Sequence, residues 1–191
     1  MFELTTHIWR LTGEAPLMQS NPASMDQATN SNLSVKKKVY DDKEEAAARC
    51  YKHDGNYVHP SASIRRALIT AVTGKRFGKV AARNVISSSV FPSEDFMVIC
   101  NGDGKPATHY EIDKRSVVIQ KSRIMRCRPK FMIWSIMLPL DLDLDGITLH
   151  QVTEGLNMAG RNIGLGELRP DPSDGKKGVG TYGRFTAEFV K

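Results

Sequence analysis

The residues best suited to chemistry in this chain are glycines and arginines crowded together near its end. Ala159-Gly160-Arg161-Asn162-Ile163-Gly164-Leu165-Gly166-Glu167-Leu168-Arg169-Pro170 is followed, after Lys176 and Lys177, by Gly178-Val179-Gly180-Thr181-Tyr182-Gly183-Arg184-Phe185. Glycines at this density permit positive φ and close approach of backbone to a ligand, and the neighbouring arginines favour a ligand that carries phosphates. Gly178, Gly180 and Gly183 spell G-x-G-x-x-G. A dinucleotide fingerprint, however, must open a helix inside a βαβ unit, with an acidic residue about twenty positions on. Only Arg184-Phe185-Thr186-Ala187-Glu188-Phe189-Val190-Lys191 remains, which reads as a closing strand. The alternative is a glycine-rich hairpin tip without a ligand.

Two further basic groups invite the same chemistry. In Gln120-Lys121-Ser122-Arg123-Ile124-Met125-Arg126-Cys127-Arg128 the pairs Lys121/Arg123 and Arg126/Arg128 sit at i, i+2. On a strand each pair shares one face at about 6–7 Å, near the phosphate spacing of an extended nucleic-acid strand. Ile124-Met125 shifts the parity between the pairs, so a bulge must intervene if all four act together. A solvated outer sheet face is the alternative. Arg65 and Arg66 lie opposite the apolar stripe of an expected helix, and Lys75-Arg76-Phe77-Gly78-Lys79 follows its end.

Other chemistries find less support. Asp141-x-Asp143-x-Asp145-Gly146 imitates the start of a calcium loop, but Val152 stands where the closing glutamate belongs. The five histidines have no metal spacing on a common helix, and Cys50, Cys100 and Cys127 form neither a disulfide framework nor a C-x-x-C pair. No metal or cofactor is indicated. Nucleophile-elbow and P-loop motifs are lacking. His53, Asp54 and His59 precede an expected helix, which leaves acid–base chemistry on RNA as a minor alternative. The net charge of +6 favours a polyanionic partner. Neither a secretory leader nor an apolar run of about 18 residues is present, so a cytoplasmic protein away from the membrane is expected.

The elements that must position these residues follow from patterning. Phe2 to Leu11 reads as a strand, and Gly13 to Leu33 as a polar loop in which Pro16-Leu17-Met18 and Met25 offer contacts to a neighbouring subunit. Asp41 to Arg49 reads as a short helix with acids in its first turn. Ser61 or Ser63 caps a helix carrying Ile64, Ala67, Leu68, Ala71 and Val72. Val117 to Leu140 is the clearest β region, broken into two strands at Pro129. Thr148 caps a helix with Leu149, Val152, Leu156 and Ala159 on one stripe, ended by Gly160. The order predicts an α+β fold: one ferredoxin-like or RRM-type βαββαβ domain over 1–191, with an insertion at about 13–56 and a C-terminal glycine-rich loop.

Tyr57-Val58-His59-Pro60-Ser61-Ala62-Ser63-Ile64-Arg65-Arg66-Ala67-Leu68 resembles the helix-opening segment of the RAMP superfamily. Gly164-x-Gly166 through Gly178-x-Gly180-x-x-Gly183-Arg184-Phe185 resembles its C-terminal glycine-rich loop and closing strand. That superfamily comprises RNA-binding proteins of CRISPR systems on RRM-like domains, among them guide-processing enzymes and backbone subunits that polymerise along a guide RNA. Arg66 stands where the pattern has a small residue, and Pro170, Pro172 and Asp174-Gly175-Lys176-Lys177 interrupt the loop. No position here matches the catalytic histidine of the processing enzymes, so nuclease activity is not implied. The chain also looks like a group of phage-encoded proteins through Val118-Ile119-Gln120 to Pro129 and Gly164 to Pro170, a likeness that brings no function.

Resemblance and residues together predict a protein of single-stranded RNA or DNA, RNA favoured, assembling side by side with itself or with other CRISPR-like subunits. Its binding residues would be Arg65, Arg66, Lys75, Arg76, Lys79, Lys121, Arg123, Arg126, Arg128, Gly164, Gly166, Arg169, Lys176, Lys177, Gly178, Gly180, Gly183 and Arg184. The alternatives are a phage protein-interaction factor that mimics or caps a CRISPR subunit, and an RNA-processing nuclease.

Overall fold

Alternation along β11 (Ser135–Leu142) sets the layer structure, because Ile136, Leu138, Leu140 and Leu142 are buried while Met137 between them is exposed. A computed structural model of the chain describes residues 3–22, 41–119, 122–172 and 180–191. Lys121, Lys176, Lys177, Gly178 and Met25 lie outside the described residues, as does the side chain of Arg123. The fold is mixed α+β around a seven-stranded sheet. Its main path runs β12 (Phe185–Phe189), β1 (Thr5–Gly13), β11, β8 (Phe96–Cys100), β4 (Asn56–Pro60) and β3 (Lys52–His53), with β7 (Val90–Pro92) also on β11. Every pairing is antiparallel.

One face of this sheet is covered by α2 (Ser61–Ala71) and α4 (Leu149–Asn162). Trp9 and Leu11 of β1 and Met97 and Ile99 of β8 share a core with Ile64 and Leu68 of α2 and with Val152 and Leu156 of α4. The Trp9 indole donates to Thr153 Oγ1 of α4 at 2.9 Å. On the other face Thr6, Arg10 and Thr12 meet solvent. Fully burying a large apolar side chain contributes about 1.5–3 kcal/mol, so this seam is a major source of stability.

The sheet exceeds the four strands of a simple βαββαβ unit because the β3–β4 hairpin extends it beyond β8 and the chain splits into β7 and β8 around Ser93 to Asp95. Asp141 ties that split to the first strand, accepting from Ser93 Oγ at 2.8 Å and Thr6 Oγ1 at 2.6 Å. Smaller elements stand apart: a ribbon of β9 (Glu111–Ile119), β10 (Ser122–Phe131) and β2 (Leu17–Met18), the helix α1 (Asp42–Ala48) against β10, the hairpin β5 (Arg76–Phe77) and β6 (Val80–Ala81), and α3 (Ala82–Ser89).

Several sequence expectations are corrected. Pro129 does not break a strand but sits inside β10 opposite Ile112. Its carbonyl accepts from Gln19 N at 3.1 Å, so its missing N–H falls on the β2 side and no bond to β9 is lost. The break comes at Met132 to Trp134 instead. Leu17 and Met18 are fully buried in this chain and not free for a neighbour. Pro60, not a serine, is the N-cap residue of α2, and Ser63 Oγ turns back to the Pro60 carbonyl at 2.9 Å. α4 opens as expected, with Thr148 and Gln151 forming a capping box, but runs past Gly160 to Asn162. Gly164 stops it, at φ 70° with its N–H donating to Ala159 O at 2.8 Å.

Gly160 serves packing: a Cβ there would land on the Phe185 carbonyl oxygen of β12, whereas one at Gly155 would meet side-chain ends, Leu68 Cδ1 at 2.8 Å and Val72 Cγ1 at 3.4 Å. Alanine gains about 1 kcal/mol of helix propensity over glycine. Gly160→Ala is nevertheless expected to lose about 2 kcal/mol net by overpacking, a melting-temperature drop of about 5 °C, while Gly155→Ala stays within about 1 kcal/mol of the parent. Thermal unfolding followed by circular dichroism measures both.

Candidate nucleic-acid interface

Two groups of basic side chains differ in how they are met. On the β9–β10 ribbon they are met by acids: Lys114 by Asp42 at 2.6 Å, Arg115 by Asp113 at 2.7 Å, Arg126 by Glu45 at 3.3 Å, Lys130 by Glu111 at 3.0 Å and Arg128 by Glu167. Asp42 is held below its ordinary value by its hydrogen bond from Lys114, and the same bond raises the lysine. Glu45 also accepts from Cys127 N at 3.2 Å and pairs with Arg49 at 3.4 Å, so α1 neutralises β10 from the side. Arg128 is only 7% exposed, while the Glu167 carboxylate that meets it stays partly exposed.

Around α2 the balance is different. Arg66, Lys75, Arg76, Lys79 and Arg83 are exposed, and among the described residues none has a carboxylate within ion-pair distance. Arg65 is held by carbonyls, Nε donating to Val90 O at 3.0 Å and Nη2 to Ser87 O at 2.8 Å, and lies over the Phe91 ring at 5.6 Å. A guanidinium spending donors on carbonyls keeps its full charge.

Of these, Arg65, Arg66 and Arg83 line a groove made of three consecutive cavities. The widest, about 710 Å³, runs between α2 and α3 and takes Arg65, Arg66, Thr73 and Arg83. Next is a small one of about 130 Å³, sharing Arg66, Thr70 and Ile163 with the first and adding Ser63, Gly164, Gly166 and Arg169. The last, about 300 Å³, shares Ser63, Gly166 and Arg169 and ends at Gln19, Tyr51, His59 and Glu167. Arg169 is fixed by Asp171 at 3.0 Å and by the Gly166 carbonyl at 2.9 Å. The groove follows α2, an 11-residue helix of about 16 Å, which matches about three phosphates of an extended strand.

The glycine-rich segment forms one wall through contacts of backbone with backbone. Gly164, Gly166 and Gly183 have φ of 70°, 73° and 66°. A Cβ at Gly166 would strike Met18 O, one at Gly180 Leu168 O, and one at Gly183 Leu165 O. The segment is laced accordingly: Leu165 N donates to Gly183 O at 2.9 Å, Glu167 N to Met18 O at 2.9 Å and Gly183 N to Pro16 O at 2.8 Å. Close approach is thus made to this chain itself, and a side chain at Gly180 disturbs folding before it reaches any ligand.

Of the residues singled out by sequence, Arg65, Arg66, Gly164, Gly166 and Arg169 meet in the groove. Lys75, Arg76 and Lys79 lie on and beside the β5–β6 hairpin, which leads into α3 through Ala82 N donating to Lys75 O at 3.0 Å. Gly180, Gly183 and Arg184 lead into β12 behind the segment, with Arg184 Nε on Thr181 O at 3.4 Å. Arg126 and Arg128 belong to the separate ribbon. Sequence reasoning missed Arg83, Thr70 and Asp171. A lone arginine on a short polar helix gives no signal, since only tertiary packing sets α3 beside α2.

His59, 3% exposed, closes the inner end. Its Nε2 is 2.6 Å from Ser63 Oγ, and Nδ1 is buried with no hydrogen-bond partner among the described residues. Burial, helped by the charge of Arg169, pushes the ring down from 6.5 to about 4. The folded chain therefore keeps His59 neutral while the unfolded chain protonates it below pH 6.5, so its contribution is full above 6.5 and is lost between 6.5 and about 4. Stability should fall by about 2 kcal/mol between pH 7 and pH 5 from this residue alone. Urea unfolding across that range should give a visibly flatter curve for His59→Gln. No family model matches the chain, and no curated protein matches it.

Proposed function

We propose that this chain binds single-stranded nucleic acid, RNA for preference, along the groove between α2, α3 and the 163–172 segment, in the manner of a backbone subunit of a CRISPR complex. The observation that supports the reading is the charge distribution: Arg65, Arg66 and Arg83 line one groove without acidic partners among the described residues, while Lys114, Arg115, Arg126, Arg128 and Lys130 of the ribbon are each paired with an acid. Uncompensated cations spaced along an open cleft are what a phosphate backbone requires.

The finer fold assignment belongs to the same proposal. The order β12-β1-β11-β8, antiparallel and with α2 and α4 between the proper strands, supports a ferredoxin-like βαββαβ unit enlarged by β3, β4 and the ribbon. The preference for RNA and side-by-side assembly rest on the likeness of Tyr57 to Leu68 and of the glycine-rich segment to the RAMP superfamily. Among the described residues no helix is long and apolar enough to cross a membrane, and a cytoplasmic site of action is part of the proposal. A second reading, a protein-interaction factor, is favoured by Phe96 and Met137, which are 37% and 41% exposed on the open sheet face.

Titrating a fluorescent oligonucleotide against salt separates the two readings. Replacing Arg66 and Arg83 together by alanine should weaken binding about tenfold and flatten the slope of log affinity against log salt by about 1.4, two phosphates' worth on a single strand. Lys130→Ala, which breaks the pair with Glu111, should leave the slope unchanged. An unaltered slope in the double variant would sink the groove as the binding site.

A further inference from the structure

We propose that Thr70 is the residue through which the groove recognises ribose, its hydroxyl pairing with the 2′-hydroxyl of a nucleotide whose phosphate lies at Arg66. This rests on the nucleic-acid reading and adds what that reading draws only from likeness, a group in this chain that tells RNA from DNA. Thr70 lines both the wide cavity and the small one, as do Arg66 and Ile163. It stands one turn beyond Arg66 on α2, a rise of about 6 Å. That leaves room for the ribose attached to a phosphate held by the arginine.

The Thr70 hydroxyl is uncommitted, which sets it apart from its neighbours. Thr73 turns its hydroxyl onto the carbonyl four residues back, Ile69 O, at 2.9 Å, and Thr153 of α4 does the same with Leu149 O at 2.9 Å. Ser63 Oγ, beside the small cavity, is taken up by the Pro60 carbonyl at 2.9 Å and by the His59 ring at 2.6 Å. Thr70 Oγ1 has no hydrogen-bond partner among the described residues, and it is not one of the buried polar atoms left unpaired, so solvent reaches it. A free hydroxyl donates and accepts at once, as the 2′-hydroxyl does. The rest of the lining divides the work. Ala62, Ile69, Ile163 and Pro172 line the wide cavity together with its three arginines, so phosphates have cations to meet and the C–H face of a ribose has apolar side chains to lie against.

Fluorescence anisotropy with three uridine strands of equal length tests this: ribo, 2′-deoxy and 2′-fluoro, the last keeping an RNA-like sugar pucker without a hydroxyl proton to donate. The parent protein should bind the ribo strand about fivefold more tightly than either of the others. Thr70→Val, which keeps the shape and removes the hydroxyl, should bring the ribo strand down to the level of the deoxy strand while leaving the deoxy strand within about twofold of the parent. Thr70→Ser should retain the preference. Parental melting behaviour is checked for each variant, and Thr70→Ala decides if the valine variant does not fold. A ribo strand bound no better than the 2′-fluoro strand, a preference that survives loss of the hydroxyl, or a loss shared equally by all three strands, as a phosphate contact would give, overturns the proposal. Failure of the underlying reading looks different, because then no strand binds in a salt-dependent way, and the proposal falls with it.

Discussion

The groove exists because three stretches of backbone touch where side chains would normally keep them apart. Gly166 lies on the Met18 carbonyl, Gly180 on that of Leu168 and Gly183 on that of Leu165, while Gly160 seats α4 on β12. These contacts fix the 163–172 segment between β2 and the entry to β12, at the distance from α2 that leaves a cleft instead of a packed seam. Hydrogen bonds from Glu167 N to Met18 O and from Gly183 N to Pro16 O lock the arrangement. A Cβ at any of these positions demands backbone movement, which close-packed interiors resist. The position of Arg169, and with it the shape of the cleft, is inherited from this joint.

Charge is distributed to suit that geometry. The net charge of +6 is modest, yet the acids Asp42, Glu45, Glu111, Asp113 and Glu167 are concentrated on the ribbon's lysines and arginines. Among the described residues, α2, α3 and the β5–β6 hairpin carry a group of cations without a carboxylate at ion-pair distance. Exposed pairs such as Lys114 with Asp42 add little to stability. Their effect is to tie up Lys114, Arg115, Arg126, Arg128 and Lys130 with acids of this chain.

Much of the framework was legible in the sequence. The stripe of Val152, Leu156 and Ala159 behind Thr148 defines α4, and Ile64 with Leu68 marks the buried face of α2, because helical periodicity is a local property. That the C-terminal glycines permit close approach was also readable. The thing approached was not, since Met18 is distant in sequence and nothing local announces it. The pairing of Arg126 and Arg128 was hidden for the same reason: their acids come from α1 and from the 163–172 segment. Strand boundaries near Pro129 misled because the side to which a proline presents its missing N–H is decided by the neighbouring strand, not by the proline.

The place of β1 between β11 and β12 governs how the chain reaches this state during synthesis. Its partners begin at Ser135 and Phe185, so Trp9 and Leu11 emerge long before anything can cover them. At about 5–20 residues per second the wait for both neighbours is on the order of 10–40 seconds. Contacts of such separation close slowly, because chain entropy must be lost before burial compensates. Throughout that interval a bare apolar strand competes for any open edge, so the yield of native protein depends on translation rate and on chaperone occupancy of the first strand as much as on the stability of the finished fold.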